Sequence, residues 1–483
     1  MALGARVLAV AALTLVLAAP ATARVRIDAK PSLTPAFRTS VTDYASRCGG
    51  GRPLRLAVDA GDGASVSVDG RAERSGSFDA VVELGSGQAT RIEVRSGGRT
   101  TRHHVRCLPS RFPRWRFRRF ARPQAQWYLM APAPSGGPGP VTGRVIVFDR
   151  RGVPVWWRRG AAEPFNSTLL PDGTLAWTRW LGGPFGVSDE IAWEVRRLDG
   201  TLVRTLRTVG SPTDTHDMQP LANGNFLLET YPLRRDVDLR PYGGSGRGDV
   251  IDGEIQELTP SGRLVWRWRT RDHLRPSETD WPPPKRTFDD GTVAYDVVHL
   301  NSMEPDRDGG LVISVRHTNA VYGIDRDSGK VTWKLGGTKR KQSLRVVDDP
   351  RKPTFGRQHD ARVLPDGTVT VYDNRSRIGS PRAVRFRIDP ARRRARRLGQ
   401  ATDEKARESV AQGSARLLPG GNWVVSWGGT KLLSEISPSN RPVWRLDFRD
   451  EDVFNYRVTP IPRGRLGAFR LRRGMDAMHP RRP

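Results

Sequence analysis

A repeated pair of β-hairpins runs through the sequence from about residue 145 onward and limits the folds the chain can adopt. One hairpin has an apolar strand, an Asp/Ser-x-Gly turn and a strand often ending in Trp, as in VIVFDRRGVPVWW and EIQELTPSGRLVWRW. The other joins two strands through a Pro-Asp-Gly-like turn, as in NSTLLPDGTLAWT and HDARVLPDGTVTVYD. Two such hairpins make a four-stranded unit, the size of one propeller blade. Six copies of the first hairpin therefore predict an all-β, six-bladed β-propeller over residues 126–463.

Only five complete copies of the second hairpin occur. We expect the sixth to pair QWYLMAP (126–132) with FNYRVTPIP (454–462), which would close the ring and remove exposed sheet edges. Long polar insertions at 234–252, 271–296 and 338–357 lie between blades, where loops commonly form the rim of a site.

The residues before the repeat predict a smaller domain. LRLAVDAG, ASVSVDG, FDAVVEL and TRIEVRSG alternate like half-buried strands, which indicates a β-sandwich-like domain over 24–110. The two cysteines of the chain, Cys48 and Cys107, both fall in it. An oxidising compartment would let them form a disulfide, whereas the alternative is two buried thiols. We expect a basic, aromatic linker over 111–125, with its aromatics packed between the domains, and a disordered, Arg-rich tail over 464–483.

The N-terminus predicts export. Arg6 precedes an apolar run that is too short to span a membrane, and Ala21-Thr22-Ala23 fits a signal-peptidase site. Residues 1–23 therefore resemble a signal peptide, without the twin arginine of the alternative route. The mature chain is expected to be secreted or at the cell surface, with no transmembrane segment.

The net charge of +29 admits three interpretations. A specific nucleic-acid partner would require clustered Arg and Lys with stacking aromatics, but arginine is scattered through every segment. The scatter favours a compositional preference, and attraction to anionic surfaces or small anions is the third possibility.

Three histidines occupy one phase of the repeat. His216 and His359 stand eight residues before the turn glycines Gly224 and Gly367, and His299 opens the corresponding strand of the unit between them. Equivalent positions of neighbouring blades face the same end of the central channel. We therefore predict that these three histidines converge at one site.

Strand alternation extends this prediction to neighbouring residues. Asn301 lies two residues after His299 and should share its face, and Arg316 ends the returning strand. By the same rule Asp217, Asp360 and His317 should point away from the channel.

The set is compatible with more than one chemistry. Three histidines could hold zinc in a metal-dependent hydrolase, although a neighbouring guanidinium would repel the dication. A sulfate or phosphate suits the set better, because Arg316 can donate a bidentate fork while imidazoles donate, accept or attack. A propeller that binds an anionic ligand or a protein partner without catalysis is the remaining alternative.

The motifs THDMQP, DVVHLNSME with LVISVRHTN, and RQHDARVLPDG resemble those of the bacterial arylsulfotransferases, or aryl-sulfate sulfotransferases, and the closest resemblance is to their shorter, QHDAR-containing branch. The resemblance implies transfer of a sulfuryl group from an aryl sulfate to a phenol, with no nucleotide donor. We expect no cofactor and no metal. The resemblance also implies that His359 is the transiently sulfated nucleophile and that His299, Asn301 and Arg316 bind the sulfuryl oxygens. His216 would assist proton transfer or oxyanion binding.

Overall fold

The computed structural model describes residues 25–134, 142–160, 163–180, 190–288, 290–451 and 453–481. The predicted signal peptide and its cleavage site lie outside these residues. The described chain is all-β, with strands accounting for nearly all of its regular structure. Among these residues, no helix has both the length and the apolar character needed to cross a membrane.

Eight strands form the N-terminal region. They are β1 (Arg26–Lys30), β2 (Leu33–Thr34), β3 (Asp43–Ser46), β4 (Leu54–Asp59), β5 (Ala64–Val68), β6 (Ser77–Val82), β7 (Ala89–Ser96) and β8 (Arg99–Cys107). One sheet has the order β1-β4-β6 and the other β2-β3-β8-β7-β5. Alternate residues are buried in β4, as expected for a strand with one face on a core. The predicted Cys48–Cys107 disulfide is present and links the end of β8 to the segment after β3.

Within the described residues that follow, there are thirty strands, β9 to β38, and two short α-helices. In chain order the elements are β9 (Trp115–Arg119), β10 (Trp127–Pro134), β11 (Val145–Asp149), β12 (Pro154–Arg158), β13 (Glu163–Leu169), β14 (Leu175–Trp180), β15 (Trp193–Arg196), β16 (Leu202–Leu206), β17 (Thr213–Pro220), β18 (Phe226–Thr230), β19 (Leu233–Asp238), β20 (Arg247–Ile251), β21 (Glu254–Leu258), β22 (Leu264–Arg269), α1 (Thr270–His273), β23 (Lys285–Thr287), β24 (Val293–Asp296), β25 (Leu300–Pro305), β26 (Leu311–Val315), β27 (Ala320–Ile324), β28 (Val331–Gly336), β29 (Arg345–Val347), β30 (His359–Val363), β31 (Val369–Asp373), β32 (Arg382–Asp389), β33 (Arg394–Ala401), β34 (Ser414–Leu417), β35 (Trp423–Ser426), β36 (Leu432–Ile436), β37 (Pro442–Phe448), β38 (Val453–Ile461) and α2 (Ala468–Met478).

Most of these strands belong to six sheets built around the repeated hairpins. Their orders are β12-β11-β10-β38, β13-β14-β15-β16, β17-β18-β21-β22, β25-β26-β27-β28, β30-β31-β32-β33-β29 and β34-β35-β36-β37-β9. The strands at one end of these orders (β13, β17, β25, β30, β34 and β38) contact one another in that sequence, and β38 also contacts β13. This propeller-like arrangement brings the starts of distant strands together.

Glycines in the turns that follow four of these contacting strands keep the strands in equivalent positions of the repeat. Gly173, Gly224, Gly367 and Gly421 have φ values between 77° and 86°, in the left-handed region that glycine adopts without steric cost. Each therefore closes an equivalent turn, and the residues eight positions earlier occupy equivalent places.

The insertions contain more regular structure than polar loops would. Residues of the first two insertions pair in an additional sheet of order β19-β20-β24-β23, and β29 of the third insertion pairs with β33. The additional sheet places the chain around Pro282 and Arg286 beside the histidine-bearing strands.

The segment over 111–125, predicted to be a linker, contains a strand that extends a sheet. Its strand β9 pairs antiparallel with β37, from Trp115 opposite Phe448 to Arg119 opposite Trp444. Phe112 is buried and packs edge-on against Trp157, 5.2 Å away between ring centroids.

The prediction of a disordered tail is wrong for residues 468–478, which form α2. Leu471 and Met475 of this helix are fully buried in the same core as β12. A Cβ on Gly474 would lie 2.5 Å from the Leu198 carbonyl oxygen, so glycine permits this close approach. The apolar residues recur at helical spacing between arginines, and burial of that stripe stabilises the helix despite its charge.

Candidate active site

One cavity of about 530 Å³ collects most of the predicted site. The described residues that line it are His216, Pro282, Pro284, Arg286, His299, Arg316, Arg357, His359, Ser376, Arg377, Val410, Ala411 and Gln412. The three predicted histidines and Arg316 therefore lie together, although they come from three different sheets.

Backbone geometry directs these side chains. His216 lies within β17, His359 begins β30, and His299 immediately precedes β25. His299 has a φ of 53°, so a local break from extended backbone sets its direction. The rings of His216 and His299 are 4.9 Å apart, edge to face.

Buried carboxylates orient His216 and His299. The Nδ1 of His216 lies 2.8 Å from Asp214 Oδ2, and the Nδ1 of His299 lies 2.6 Å from Asp296 Oδ2. Because a carboxylate accepts, each Nδ1 carries the proton, and the Nε2 of a neutral ring keeps its lone pair. The sequence pattern gave no signal for these two carboxylates.

An amide holds His359 in the same tautomer. Its Nδ1 donates to Asn374 Oδ1 at 2.7 Å, and Asn374 Nδ2 in turn donates to Ser409 Oγ at 2.8 Å. The backbone N–H of Gln412 donates to His359 Nε2 at 3.1 Å. The lone pair that would act as a nucleophile is therefore covered by the chain at Gln412.

Arg316 is buried, 8% exposed, and makes no salt bridge within the described residues. Its Nη1 donates to His317 Nε2 at 2.7 Å, and its Nη2 donates to the Val410 carbonyl oxygen at 3.1 Å. Burial and the positive charge of Arg357 lower the pKa of Arg316 to about 10, so the guanidinium stays charged near neutral pH. A buried cation without a carboxylate partner is suited to bind an anion.

Burial also keeps two of the histidines neutral. It lowers the pKa of His299 well below its usual value, with further contributions from His216 and Arg316. Burial and the charge of Arg316 do the same to the pKa of His359, and the hydrogen bond that His359 donates to Asn374 acts in the opposite direction. Both rings are therefore unprotonated near neutral pH.

Asn301 is not among the residues that line the cavity. Its side chain is fully buried, and its Nδ2 donates to the Gln358 carbonyl oxygen at 2.8 Å. The pairing of β25 with β26 shifts register between Leu300 and Ser302. Because of this irregularity, the side chains of His299 and Asn301 do not share a face as strand alternation would predict.

The prediction that His317 faces away from the cluster is wrong. Its ring lies 4.9 Å from that of His299, its Nδ1 donates to the Asp296 carbonyl oxygen, and its Nε2 accepts from Arg316. Strand β26 ends at Val315, and residues 316–318 form a 3-10 turn, where alternation no longer applies.

The prediction that Asp217 and Asp360 point outward is also wrong. Both are buried among the inner strands, where Arg457 lies 2.8 Å from Asp217 and 3.3 Å from Asp360. Arg362 bridges the same two carboxylates. Burial would raise the pKa of Asp217, but Arg362 and Arg457 lower it to about 2. A register shift in β17 and a φ of 56° at Asp360 redirect the two side chains. Neither carboxylate orients the neighbouring histidine, whose Nδ1 is bound to Asp214 or Asn374 instead.

Two groups of described residues have the composition of a metal site: Asp296 with His299 and His317, and Asp214 with His216 and Glu229. In each group, carboxylate–histidine hydrogen bonds engage Nδ1 atoms that would otherwise be available as ligands. Arg316 also donates to His317. These contacts favour a hydrogen-bonded histidine cluster over a metal site.

Tyr456 is a further residue of the cluster. Its ring lies 5.7 Å from His216 and 6.5 Å from His359, between centroids, and it is fully buried. It belongs to β38, whose sequence has no histidine motif, and the repeat alignment gives it no distinct signal.

Fold and site together define an all-β protein whose converging strands enclose a cationic, histidine-lined cavity suited to an oxyanion. A family model described as "Arylsulfotransferase (ASST)" matches residues 186–449, more than half of the chain. The chain belongs to this arylsulfotransferase family.

Comparison with solved structures gives distant likenesses. A protein of unknown function from Bacteroides caccae is 12% identical, with 70% of this chain and 99% of that chain covered and a TM-score of 0.41. Selenomethionine-substituted virginiamycin B lyase from Staphylococcus aureus is 11% identical, with 74% and 91% covered and a TM-score of 0.35. Hydrazine synthase from Kuenenia stuttgartiensis is 12% identical, with 61% and 71% covered and a TM-score of 0.37. No curated protein matches the chain.

Proposed function

We propose that the protein is an aryl-sulfate sulfotransferase of the shorter, QHDAR-containing branch, acting through a sulfated His359. It moves a sulfuryl group from an aryl sulfate to a phenolic acceptor without a nucleotide donor. We also propose that the six sheets are the blades of one closed propeller, with β10 and β38 in the blade that joins the two ends. The observation that carries the functional proposal is the shared cavity of His216, His299, His359 and Arg316.

In the first half-reaction, the Nε2 lone pair of His359 attacks sulfur as the S–O bond to the aryl group breaks. The phenolate leaves with the electrons of that bond. Sulfuryl transfer, like phosphoryl transfer, places much charge on the peripheral oxygens of a loose transition state. Arg316 is assigned to those oxygens. His299, neutral and with its Nδ1–H bound to Asp296, presents a lone pair to the cavity and donates no hydrogen bond to them.

In the second half-reaction, the acceptor hydroxyl attacks the same sulfur and the S–N bond breaks. The phenol proton passes to a base, for which His216 is the candidate because Asp214 fixes its Nδ1–H and stabilises a protonated ring. His359 recovers its lone pair. One nucleophile serves both halves because the departing phenol leaves the space that the acceptor needs.

The contact between Gln412 N–H and His359 Nε2 sets a condition on this mechanism. The lone pair attacks only when that hydrogen bond opens, so the chain around Gln412 must withdraw when the donor binds. Gln412 and Gly413 both have positive φ, at 66° and 104°, and side-chain bonds from Asn374 and Ser376 hold the neighbouring carbonyls.

The direct test is turnover of a chromogenic aryl sulfate, such as 4-nitrophenyl sulfate, with and without added phenol. The proposal predicts release of 4-nitrophenol that depends on phenol, together with formation of phenyl sulfate. Binding without turnover would favour a non-catalytic anion-binding propeller. Hydrolysis that needs an added metal ion and yields free sulfate would favour a metal-dependent hydrolase.

A further inference from the structure

We infer that the site takes aryl sulfates bearing a second anionic group on the ring, such as a carboxylate. Arg377 and Arg357 bind that group at the mouth of the cavity. The inference rests on the proposed function, because it names the substrate class of the same site.

The charge of the cavity exceeds what one sulfate monoester requires. Four arginines line it, Arg286, Arg316, Arg357 and Arg377, and none of the described lining residues is acidic. A sulfate monoester carries one negative charge, which Arg316 can match. Asp296 lies 3.3 Å from Arg286 and partly neutralises it, which leaves the two arginines at the mouth.

The cationic groups lie at different depths. Arg316 and the three histidines are buried, whereas Arg357 is half-buried and Arg377 is exposed. A substrate whose sulfuryl group reaches the histidines therefore keeps its distal end near solvent, where the two outer arginines are. Pro282, Pro284 and Val410 offer apolar contact to the ring.

Arg377 is available for a ligand. Within the described residues its side chain makes no hydrogen bond or ion pair, yet its neighbour Ser376 is held by bonds to the Ser409 and Val410 carbonyl oxygens, at 3.0 and 2.9 Å. Arg357 pairs with Asp280 at 3.2 Å, but the Asp280 side chain is 51% exposed. A pair of this kind is weak and can exchange for a ligand carboxylate.

Arginine is common in this chain, so chance placement is the competing explanation. Asp and Glu make up 51 of 483 residues, so about one would be expected among the lining residues, and the described lining has none. A matched arginine provides the experimental control. Arg387 is exposed on β32, which begins just after the Arg377 loop, and its side chain makes no ion pair within the described residues.

Calorimetric binding of two arylsulfonates tests the inference without turnover, because their C–S bond does not transfer. The wild-type protein should bind 4-sulfobenzoate about tenfold more tightly than benzenesulfonate, the order expected of one partly buried, charged hydrogen-bond pair. Arg377→Gln and Arg357→Gln should each reduce that ratio, and the double variant should bring it close to one. Arg387→Gln should keep the wild-type ratio.

Equal affinity for the two arylsulfonates in the wild-type protein would overturn the inference. So would a preference that survives the double variant, or one that Arg387→Gln removes equally. Turnover separates failure of this inference from failure of the proposed function. Equal activity on phenyl sulfate and on 4-sulfooxybenzoate would reject only the preference for a second anionic group. Charge-selective binding without any transfer would reject only the sulfotransferase activity.

Discussion

In the proposed reaction, Arg316 acts through the shape of its guanidinium as well as its charge. Two of its nitrogens are fixed by His317 and the Val410 carbonyl oxygen, which sets the plane of the group. Lysine offers a point charge without that planar fork. We therefore expect the proposed reaction to require arginine at this position.

Arg316→Lys should lower kcat/KM for an aryl sulfate. The loss of transition-state stabilisation should be about 2–4 kcal/mol, the order for loss of an oxyanion donor. Steady-state kinetics on the purified variant measure this loss. Arg387→Lys, which changes an exposed arginine outside the cavity, should leave kcat/KM unchanged. Near-normal turnover of Arg316→Lys would mean that the fork is not needed.

The neutral state of the histidines predicts an unusual pH dependence. An ordinary imidazole is protonated below about pH 6.5, but burial lowers the pKa of both His299 and His359 well below that value. Their neutral forms therefore persist as the pH falls through this range. The kcat/KM for the donor should stay constant between about pH 6 and pH 8. Release of the first phenol measures it.

A tenfold decrease in kcat/KM for each pH unit below about 6.5 would contradict that account. Such a decrease would mean that an ordinary, solvated imidazole is the nucleophile. Thermal unfolding across the same pH range separates loss of structure from loss of the neutral ring.

Much of the site could be predicted from the repeat, because equivalent strand starts converge. His216, His299, His359 and Arg316 could be found this way, since the turns fix the phase of the strands that carry or adjoin them. Alternation failed where the backbone departs from a regular strand, at His317, Asp217, Asp360 and Asn301. Asp214, Asp296 and Asn374 could not be assigned, because they meet the histidines through bends that have no sequence period.

Helix α2 shows how a charged segment becomes ordered through a few buried contacts. Leu471 is fully buried, and Met475 approaches the backbone N–H of Trp157 in β12 at 3.2 Å. Arg472 pairs with Asp43 at 2.6 Å, and Asp476 pairs with Arg106 at 2.8 Å. The helix therefore contacts both the N-terminal sheets and the propeller-like region.

Leu471→Ala should lower the free energy of unfolding by about 2–5 kcal/mol, the range for truncation of a buried leucine. Denaturant unfolding followed by tryptophan fluorescence measures the change. Phe469→Ala is the matched control, because Phe469 is in the same helix but 71% exposed, and should shift the free energy by less than about 0.5 kcal/mol. Equal effects of the two substitutions would mean that α2 does not dock as described.

The Cys48–Cys107 bond and the leader-like N-terminus predict a chain that matures outside the cytoplasm. The exported protein should begin near Arg24 and gain two mass units on reduction of its one disulfide. N-terminal sequencing and intact mass spectrometry measure both. An intact leader, or two free thiols in the exported protein, would contradict the prediction.

The six sheets and the cavity explain how one chain could serve two substrates in turn. The residues proposed as nucleophile, cation and base come from several sheets, so no single sheet could form the site. The regular repeat predicted that these residues converge, whereas their roles are those that the resemblance to the arylsulfotransferases implies. Gln412, which covers His359, and the arginines at the mouth, Arg357 and Arg377, lie in loops between repeats. The repeat therefore could not predict their positions.

Incubation with an aryl sulfate alone, followed by mass spectrometry and peptide mapping, tests the central claim most directly. The account predicts one added sulfuryl group per chain, located on His359 and discharged by phenol, with parallel double-reciprocal lines in the full reaction. His359→Asn should lose both the label and turnover while remaining folded, whereas His273→Asn, outside the cavity, should keep both. A label on His216 or His299 would transfer the nucleophile's role to that residue. Intersecting lines with no adduct would contradict the sulfated-histidine mechanism.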